Sequence, residues 1–166
     1  MLSPLVITLD LDEASMARFQ AERAELFPPN RTQVGAHLTL FHAIPGQMEA
    51  QVLEEVQIAA DRPPFDVAVG KVISLGRGAA YSLEAPELSE IRARLRQSWA
   101  AHLTPQDSQG FRPHVTVQNK VDPATSKETV QRLQAAFVPF TAHAEALVVW
   151  RYVGGPWELV QRFALE

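Results

Sequence analysis

One order of elements is predicted twice along this chain of 166 residues. Each half begins with a short strand of the pattern His–apolar–Thr–apolar, continues with an amphipathic helix, and ends with a pair of strands. Strands are predicted from β-branched and apolar runs bounded by glycine and proline, and helices from apolar residues at a 3.6-residue period. Such a chain is expected to form an α+β fold of two antiparallel sheet lobes with the helices outside.

Local signals set the boundaries of the predicted elements. A strand over 5–11 is followed by a helix over 12–27, which Pro28 and Pro29 end because proline cannot continue a helix. The polar stretch 104–110 is predicted to be a mobile loop. The other predicted elements are strands at 36–44, 65–75, 79–85 and 114–119, helices at 48–60, 86–99 and 123–137, and two closing strands around Gly154-Gly155-Pro156.

The composition narrows the class of protein. With 46% hydrophobic and 20% charged residues, positions 1–166 are expected to form a single domain, and a monomer is expected. The apolar runs are too short to span a bilayer and no signal peptide is predicted, so a cytoplasmic location without membrane attachment is expected. The lack of cysteines excludes thiolate metal sites and cysteine nucleophiles. A net charge of −4 argues against a partner of long duplex nucleic acid, but not against a local phosphate pocket.

The two strand motifs are the candidate functional residues. Side chains two apart on a strand share a face, so His37 and Thr39 point together with Phe41, away from the core. In the second motif His114 and Thr116 share a face, and regular alternation adds Gln118 and Lys120 to that face. If the two faces meet across a cleft, two imidazoles and two hydroxyls converge, with imidazole nitrogens roughly 4–8 Å apart around one phosphate.

This set of groups suits phosphoryl transfer. One imidazole can take a proton from the attacking hydroxyl or water while the other protonates the leaving oxygen. The ordinary pKa of histidine, about 6.5, suits both tasks near neutral pH. Threonine hydroxyls can donate hydrogen bonds to the non-bridging phosphate oxygens as charge develops there. The scheme requires no metal and no other cofactor.

Three alternatives compete with this interpretation. The two histidines could be ordinary strand residues, since a single motif of this kind is common. Two such motifs among five histidines, however, are expected by chance on the order of once in a thousand. The motifs could mark a catalytically silent module that binds RNA or nucleotides on the same fold. They could also ligate a catalytic metal, although neither motif has an acidic residue within four positions, as metal sites usually do.

With both motifs in place, the chain resembles the 2H phosphoesterase superfamily, which includes 2′-5′ RNA ligase and cyclic phosphodiesterase proteins. The segment Phe111-Arg112-Pro113-His114-Val115-Thr116-Val117 is the most specific match, followed by His37-Leu38-Thr39-Leu40-Phe41-His42. The resemblance implies a bilobal fold with pseudo-two-fold symmetry, one His-x-Thr motif per lobe and a groove between them. It also implies hydrolysis or transfer at a cyclic or 2′-5′ phosphodiester, with a small cyclic-phosphate nucleotide or an RNA end as partner.

The resemblance also implies roles for single residues. His37 and His114 become the catalytic acid and base, with His114 favoured as the base, and Thr39 and Thr116 bind phosphate. Many relatives place a basic residue directly after the second motif, whereas here Lys120 follows only after Gln118 and Asn119.

Other polar and aromatic residues are weaker candidates. Arg112 and Lys120 are predicted phosphate binders, and Arg31 is a lesser one. Tyr152 is the candidate for stacking on a base, while Trp150 is assigned to the core.

Two of the remaining histidines, His42 and His102, are expected to have no catalytic role. Regular alternation puts His42 on the core face of its strand, and His102 ends a helix, where a cation is favourable. The orientation of His143 stays open.

Overall fold

The computed structural model describes residues 2–27 and 34–166 and confirms the α+β class. Every predicted strand and every predicted long helix is present, with ends that differ by a few residues. Within the described residues, no helix is long and apolar enough to cross a membrane. The elements are β1 Leu5–Leu11, α1 Glu13–Leu26, β2 Leu38–Ile44, α2 Glu49–Ala59, β3 Phe65–Ser74, β4 Ala79–Glu84, α3 Pro86–Trp99, α4 Pro105–Ser108, β5 His114–Gln118, α5 Pro123–Ala136, β6 Phe140–Arg151 and β7 Glu158–Ala164.

The strands form one continuous antiparallel sheet in the order β1-β2-β5-β4-β3-β6-β7. An additional pairing of β1 with β6 closes six strands into a ring, and β7 extends from β6. Strand β6 makes this possible because its first residues pair with β3 while its remainder pairs with β1 and β7. The expected division into two separate sheets is therefore wrong, while the pseudo-two-fold relation between the halves stays a prediction.

Short polar signals position the helices on this sheet. The Asp12 carboxylate accepts a hydrogen bond from the backbone N–H of Ser15 at 3.1 Å and so caps α1. Asp122 caps α5 in the same way, through Thr125 at 2.8 Å. Pro86 occupies the first turn of α3, where its missing N–H costs nothing. The apolar faces of these helices and of the sheet then form one core cluster.

Strand β2 is irregular, and the irregularity changes which side chains reach the site. Its partners on β1 are Thr8 for Thr39 but Ile7 for Phe41, so β2 contains one extra residue in this interval. Leu40 and Phe41 are both buried as a result, and the Phe41 ring lies 4.9 Å from that of Trp99. The predicted outward position of Phe41 is therefore wrong, and so is the predicted inward position of His42, which is exposed.

The end of β5 departs from regular alternation in a similar way. Thr116 pairs with Ala80 and Gln118 with Ala79, which again leaves one extra residue in the strand. Gln118 is buried instead of facing out with His114, and its amide nitrogen donates to Thr129 Oγ1 at 2.9 Å. Lys120 follows the strand in a left-handed backbone conformation with φ of 61°.

The polar stretch 104–110, predicted to be a mobile loop, includes four helical residues. It contains the helical turn α4, in which Thr104 Oγ1 accepts from the backbone N–H of Asp107 at 3.2 Å. Arg92 donates to the Asp107 carbonyl at 2.6 Å, and Arg96 donates to the Ser108 carbonyl at 2.7 Å. These bonds attach the turn to α3.

The close approach of Gly78 to β5 predicts a stability effect. A Cβ at Gly78 would lie 1.9 Å from the backbone oxygen of Gln118, so Gly78→Ala must displace one of the two strands. We expect a loss of about 1–3 kcal/mol in the free energy of unfolding, measured by urea denaturation. Gly70→Ala is the matched control, because a Cβ there meets nothing within 4 Å. Equal denaturation midpoints for the two variants would contradict the prediction.

Candidate active site

The two motifs meet at one cavity of about 360 Å³, here called the motif cavity. The four motif side chains His37, Thr39, His114 and Thr116 all line it. The cavity is completed by His42, Leu75 and Asn119. The structure therefore brings together both predicted catalytic residues and both predicted threonines.

The pairing of β2 with β5 explains this convergence. Leu38 lies opposite Val115, and both are buried. Counting one residue to each side places His37 opposite Thr116 and Thr39 opposite His114, on the face away from the core. Opposed side chains of an antiparallel pair have Cβ atoms about 4.5–5.5 Å apart, so each imidazole has a hydroxyl as its neighbour. The separation of the imidazole nitrogens stays a prediction.

Both imidazoles are fixed by the same backbone contact. Nδ1 of His37 lies 2.7 Å from the Gly35 carbonyl oxygen, and Nδ1 of His114 lies 2.7 Å from the Arg112 carbonyl oxygen. A carbonyl only accepts hydrogen bonds, so Nδ1 must carry the proton in each ring. Nε2 is then the nitrogen available to a substrate, as an acceptor in the neutral ring and as a donor in the imidazolium.

The electrostatic surroundings distinguish His37. Burial lowers the pKa of His37 to about 4, and the nearby positive charge of Arg23 contributes to the lowering. The bond to the Gly35 carbonyl acts in the opposite direction but is outweighed. Without a bound anion, His37 is therefore neutral at pH 7, with Nε2 as a proton acceptor.

Two buried arginines donate hydrogen bonds to backbone carbonyls of the two motif strands. Arg23 of α1 donates from Nη1 to the Thr116 carbonyl at 2.8 Å and from Nε to the Val34 carbonyl at 3.1 Å. Arg92 of α3 donates from Nε to the Leu40 carbonyl at 2.8 Å. Helix α1 therefore precedes the first motif in the chain but contacts the strand of the second motif. Helix α3 precedes the second motif but contacts the strand of the first.

Neither arginine was identified from the sequence, although a signal exists. Each follows a buried apolar residue of its helix by four positions, Phe19 in α1 and Leu88 in α3. Residues four apart share a helix face, so an arginine at that spacing points into the protein.

His42 also belongs to the site, on the evidence of its contacts. A single oxygen of Asp107, Oδ1, accepts from the His42 backbone N–H at 2.8 Å and lies 3.2 Å from His42 Nδ1. The other oxygen, Oδ2, accepts from the Ala43 backbone N–H at 2.9 Å. Burial alone would raise the pKa of Asp107, but these hydrogen bonds lower it overall, so the group is a carboxylate.

A second cavity of about 510 Å³, here called the flanking cavity, adjoins the first. Thr39, His42 and His114 line both cavities, so the two share part of their walls. Arg112 lines the flanking cavity, next to the motif cavity. Lys120 is exposed and is not among the residues that line either cavity, because the strand ends before it.

The aromatic residue next to the motifs is Trp157. Its ring lies 4.7 Å from that of His37 and 6.1 Å from that of Trp150. Trp150 is only partly buried, and its Nε1 donates to Thr8 Oγ1 at 2.9 Å. Tyr152, the predicted stacking residue, is 51% exposed and lines neither cavity.

The remaining polar candidates lie elsewhere. His102 is exposed beyond the end of α3, and His143 is exposed and paired with Asp66 at 2.7 Å. Arg31 lies outside the described residues. Within residues 2–27 and 34–166, no group of three or more histidine and carboxylate side chains is arranged to hold a metal ion.

Comparison with known families decides the identity. The family model of the 2′-5′ RNA ligase superfamily matches residues 10–156, which include both motifs. The chain belongs to the 2′-5′ RNA ligase superfamily. The resemblance stated from the two motifs is thereby confirmed, and membership indicates a phosphoester-related function.

Solved structures share the fold of this superfamily member at low sequence identity. The protein TT0787 of Thermus thermophilus superposes with a TM-score of 0.70 at 18% identity, over 98% of this chain and 97% of that one. LigT of E. coli complexed with 3′-AMP superposes with a TM-score of 0.65 at 18% identity, over 99% of both chains. No protein with a curated description matches the sequence.

Proposed function

We propose that the protein is a metal-independent phosphoesterase that acts on a cyclic or 2′-5′ phosphodiester of a nucleotide or an RNA end. The proposal rests on one observation above all. Two imidazoles, each with Nδ1 bonded to a backbone carbonyl and Nε2 available, line one cavity together with two threonines. This is the set of groups that general acid-base cleavage of a phosphodiester requires.

Each group has a defined task in hydrolysis. The basic Nε2 takes a proton from water as the water oxygen bonds to phosphorus. The P–O bond to the leaving oxygen breaks. The second histidine, which begins the step as an imidazolium, donates its Nε2 proton to that oxygen. Thr39 and Thr116 donate hydrogen bonds to the non-bridging oxygens, where negative charge increases in the transition state. The two imidazoles then exchange protons with solvent and return to their initial states.

The pKa of His37 supports a revised assignment of roles. A base must be unprotonated before the reaction, and burial holds the pKa of His37 at about 4, so it is ready to accept a proton at neutral pH. We therefore assign His37 as the base and His114 as the acid. The resemblance favours the reverse order.

The size and surroundings of the site favour a small substrate. The motif cavity of about 360 Å³ suits a ligand of nucleotide size, and Trp157 beside His37 offers a flat surface for a base. The solved structure of LigT with 3′-AMP gives a precedent for such a ligand on this fold. The net charge of −4 agrees with recognition of one chain end, since it disfavours broad electrostatic binding of a duplex.

The test is turnover of a substrate panel by the purified protein. We expect hydrolysis of 2′,3′-cyclic nucleotides or of a 2′-5′-linked dinucleotide, with products identified by mass spectrometry and rates unchanged by EDTA. A 3′-5′-linked dinucleotide is the negative control. Loss of activity in EDTA that a divalent ion restores would contradict metal independence. Binding without turnover would instead support the silent nucleotide-binding module.

A further inference from the structure

The flanking cavity is positively charged although the protein is acidic overall. Arg92 and Arg112 line it together with His42 and His114, while Gln106 and Gln109 contribute neutral amides. Asp107 is the one carboxylate among its lining residues. Both oxygens of that carboxylate are already engaged by backbone N–H groups and by His42. Arg92 is buried and donates to the Leu40 and Asp107 carbonyls, so the cation that an anion in the cavity can reach directly is the exposed Arg112.

His42 is oriented towards such an anion. Because the Asp107 carboxylate accepts from Nδ1, that nitrogen carries a proton and leaves Nε2 available on the cavity side of the ring. In its imidazolium form the ring would donate a charged hydrogen bond from Nε2 to an anion in the cavity. Asp107 is held in turn by Arg92 and Thr104, so the orientation of His42 does not depend on an exposed side chain.

We propose that the flanking cavity binds a second, non-reacting phosphate of the substrate, with His42 and Arg112 as its ligands. The inference rests on the proposed function for the phosphate in the motif cavity. The two cavities share Thr39, His42 and His114, so one ligand can occupy both. The substrate class is then a nucleotide or RNA end in which a further phosphate lies one ribose away from the reacting one.

The position of Arg112 explains why this phosphate is held here. The backbone carbonyl of Arg112 is hydrogen-bonded to Nδ1 of His114, so the Arg112 side chain branches from the backbone next to the catalytic imidazole. A guanidinium offers paired N–H donors that match two phosphate oxygens. Lys120, the residue that the sequence suggested for such a task, lines neither cavity.

The test compares two ligands that differ by one phosphate. Binding of adenosine 3′-monophosphate and adenosine 3′,5′-bisphosphate is measured by isothermal titration calorimetry, so no turnover is needed. We expect the wild-type protein to bind the bisphosphate about tenfold more tightly, since a hydrogen-bonded charge contributes roughly that factor. The preference should fall below about threefold in His42→Gln and in Arg112→Gln.

Matched controls come from the same chain. His143→Gln removes an imidazole that is also paired through Nδ1 with a carboxylate, and Arg162→Gln removes a guanidinium paired with Asp10. Neither residue lines the two cavities, so both variants should keep the wild-type preference. Arg112 is exposed, so Arg112→Gln decides the matter if His42→Gln does not fold.

The outcomes separate this inference from the proposed function. Equal wild-type affinity for the two ligands, no binding of either, or an unchanged preference in Arg112→Gln would overturn the second phosphate site. Turnover of a cyclic phosphate in the same preparation would then leave the proposed function standing. A preference that depends on Arg112, in a protein without turnover, would support the two-phosphate site and remove the enzymatic role.

Discussion

Replacing His37 or His114 with alanine is expected to lower kcat for a cyclic nucleotide by at least about 10²-fold. Each substitution removes one proton-transfer partner whose Nε2 is available in the motif cavity. The two imidazoles act in one step, so the double variant should lose far less than the product of the single losses. Steady-state kinetics on the three variants measures both effects.

The controls for this experiment are histidines with different surroundings. His102→Ala changes an exposed residue outside both cavities and should leave kcat near the wild-type value. Circular dichroism should show an unchanged fold for all variants, because both motif imidazoles are only half-buried and lie on the strand face opposite to the buried Leu38 and Val115. Wild-type turnover in either His37→Ala or His114→Ala would rule out the acid-base mechanism.

The second large effect concerns which histidine is the acid. A substrate with an activated aryl leaving group needs no proton on the departing oxygen, so it should raise the turnover of the acid variant by roughly 10²-fold. With His37 as the base, His114→Ala is rescued and His37→Ala is not. Rescue of His37→Ala alone would restore the assignment that the resemblance favoured. Rescue of neither would indicate that both imidazoles also bind the phosphate.

The pH dependence of kcat/KM tests the same assignment independently. A base is active only when unprotonated, so kcat/KM should fall as the pH drops through the pKa of His37, about 4 in the free protein. If His37 were the acid, it would have to keep its proton, and kcat/KM would already decline as the pH rises above about 4. The protein must stay folded at the lowest pH, which circular dichroism can check.

Much of the fold could be predicted from local patterns because the strands and long helices have clear periods and clear ends. The closed sheet could not, since it depends on β6 pairing with β1 as well as with β3. The strand faces predicted for Phe41 and His42 were wrong for a related reason. An extra residue in a strand is defined only against its partner strand, and the burial of Phe41 depends on Trp99 from a distant helix.

The candidate site was predictable where the chemistry lies within a motif and unpredictable where it depends on remote contacts. His37, Thr39, His114 and Thr116 line one cavity as the doubled pattern suggested. Asp107 gave no signal, because a carboxylate in a polar stretch looks like a solvated residue until the turn around it is known. The sequence predicted Tyr152 as the stacking residue, and the position of Trp157 beside His37 follows only from the closing hairpin.

The crossed arrangement of the two buried arginines bears on how such a chain could have originated. A fragment that ended at Glu84 would retain Arg23 without its Thr116 acceptor, and would lack the Arg92 that holds Leu40. Arg23 would keep only its Val34 acceptor, and a buried donor that loses its partner is destabilising, so the fragment should be less stable as a folded monomer. A shorter ancestor with a single motif could form comparable bonds as a homodimer, with the helix of each copy supporting the strand of the other.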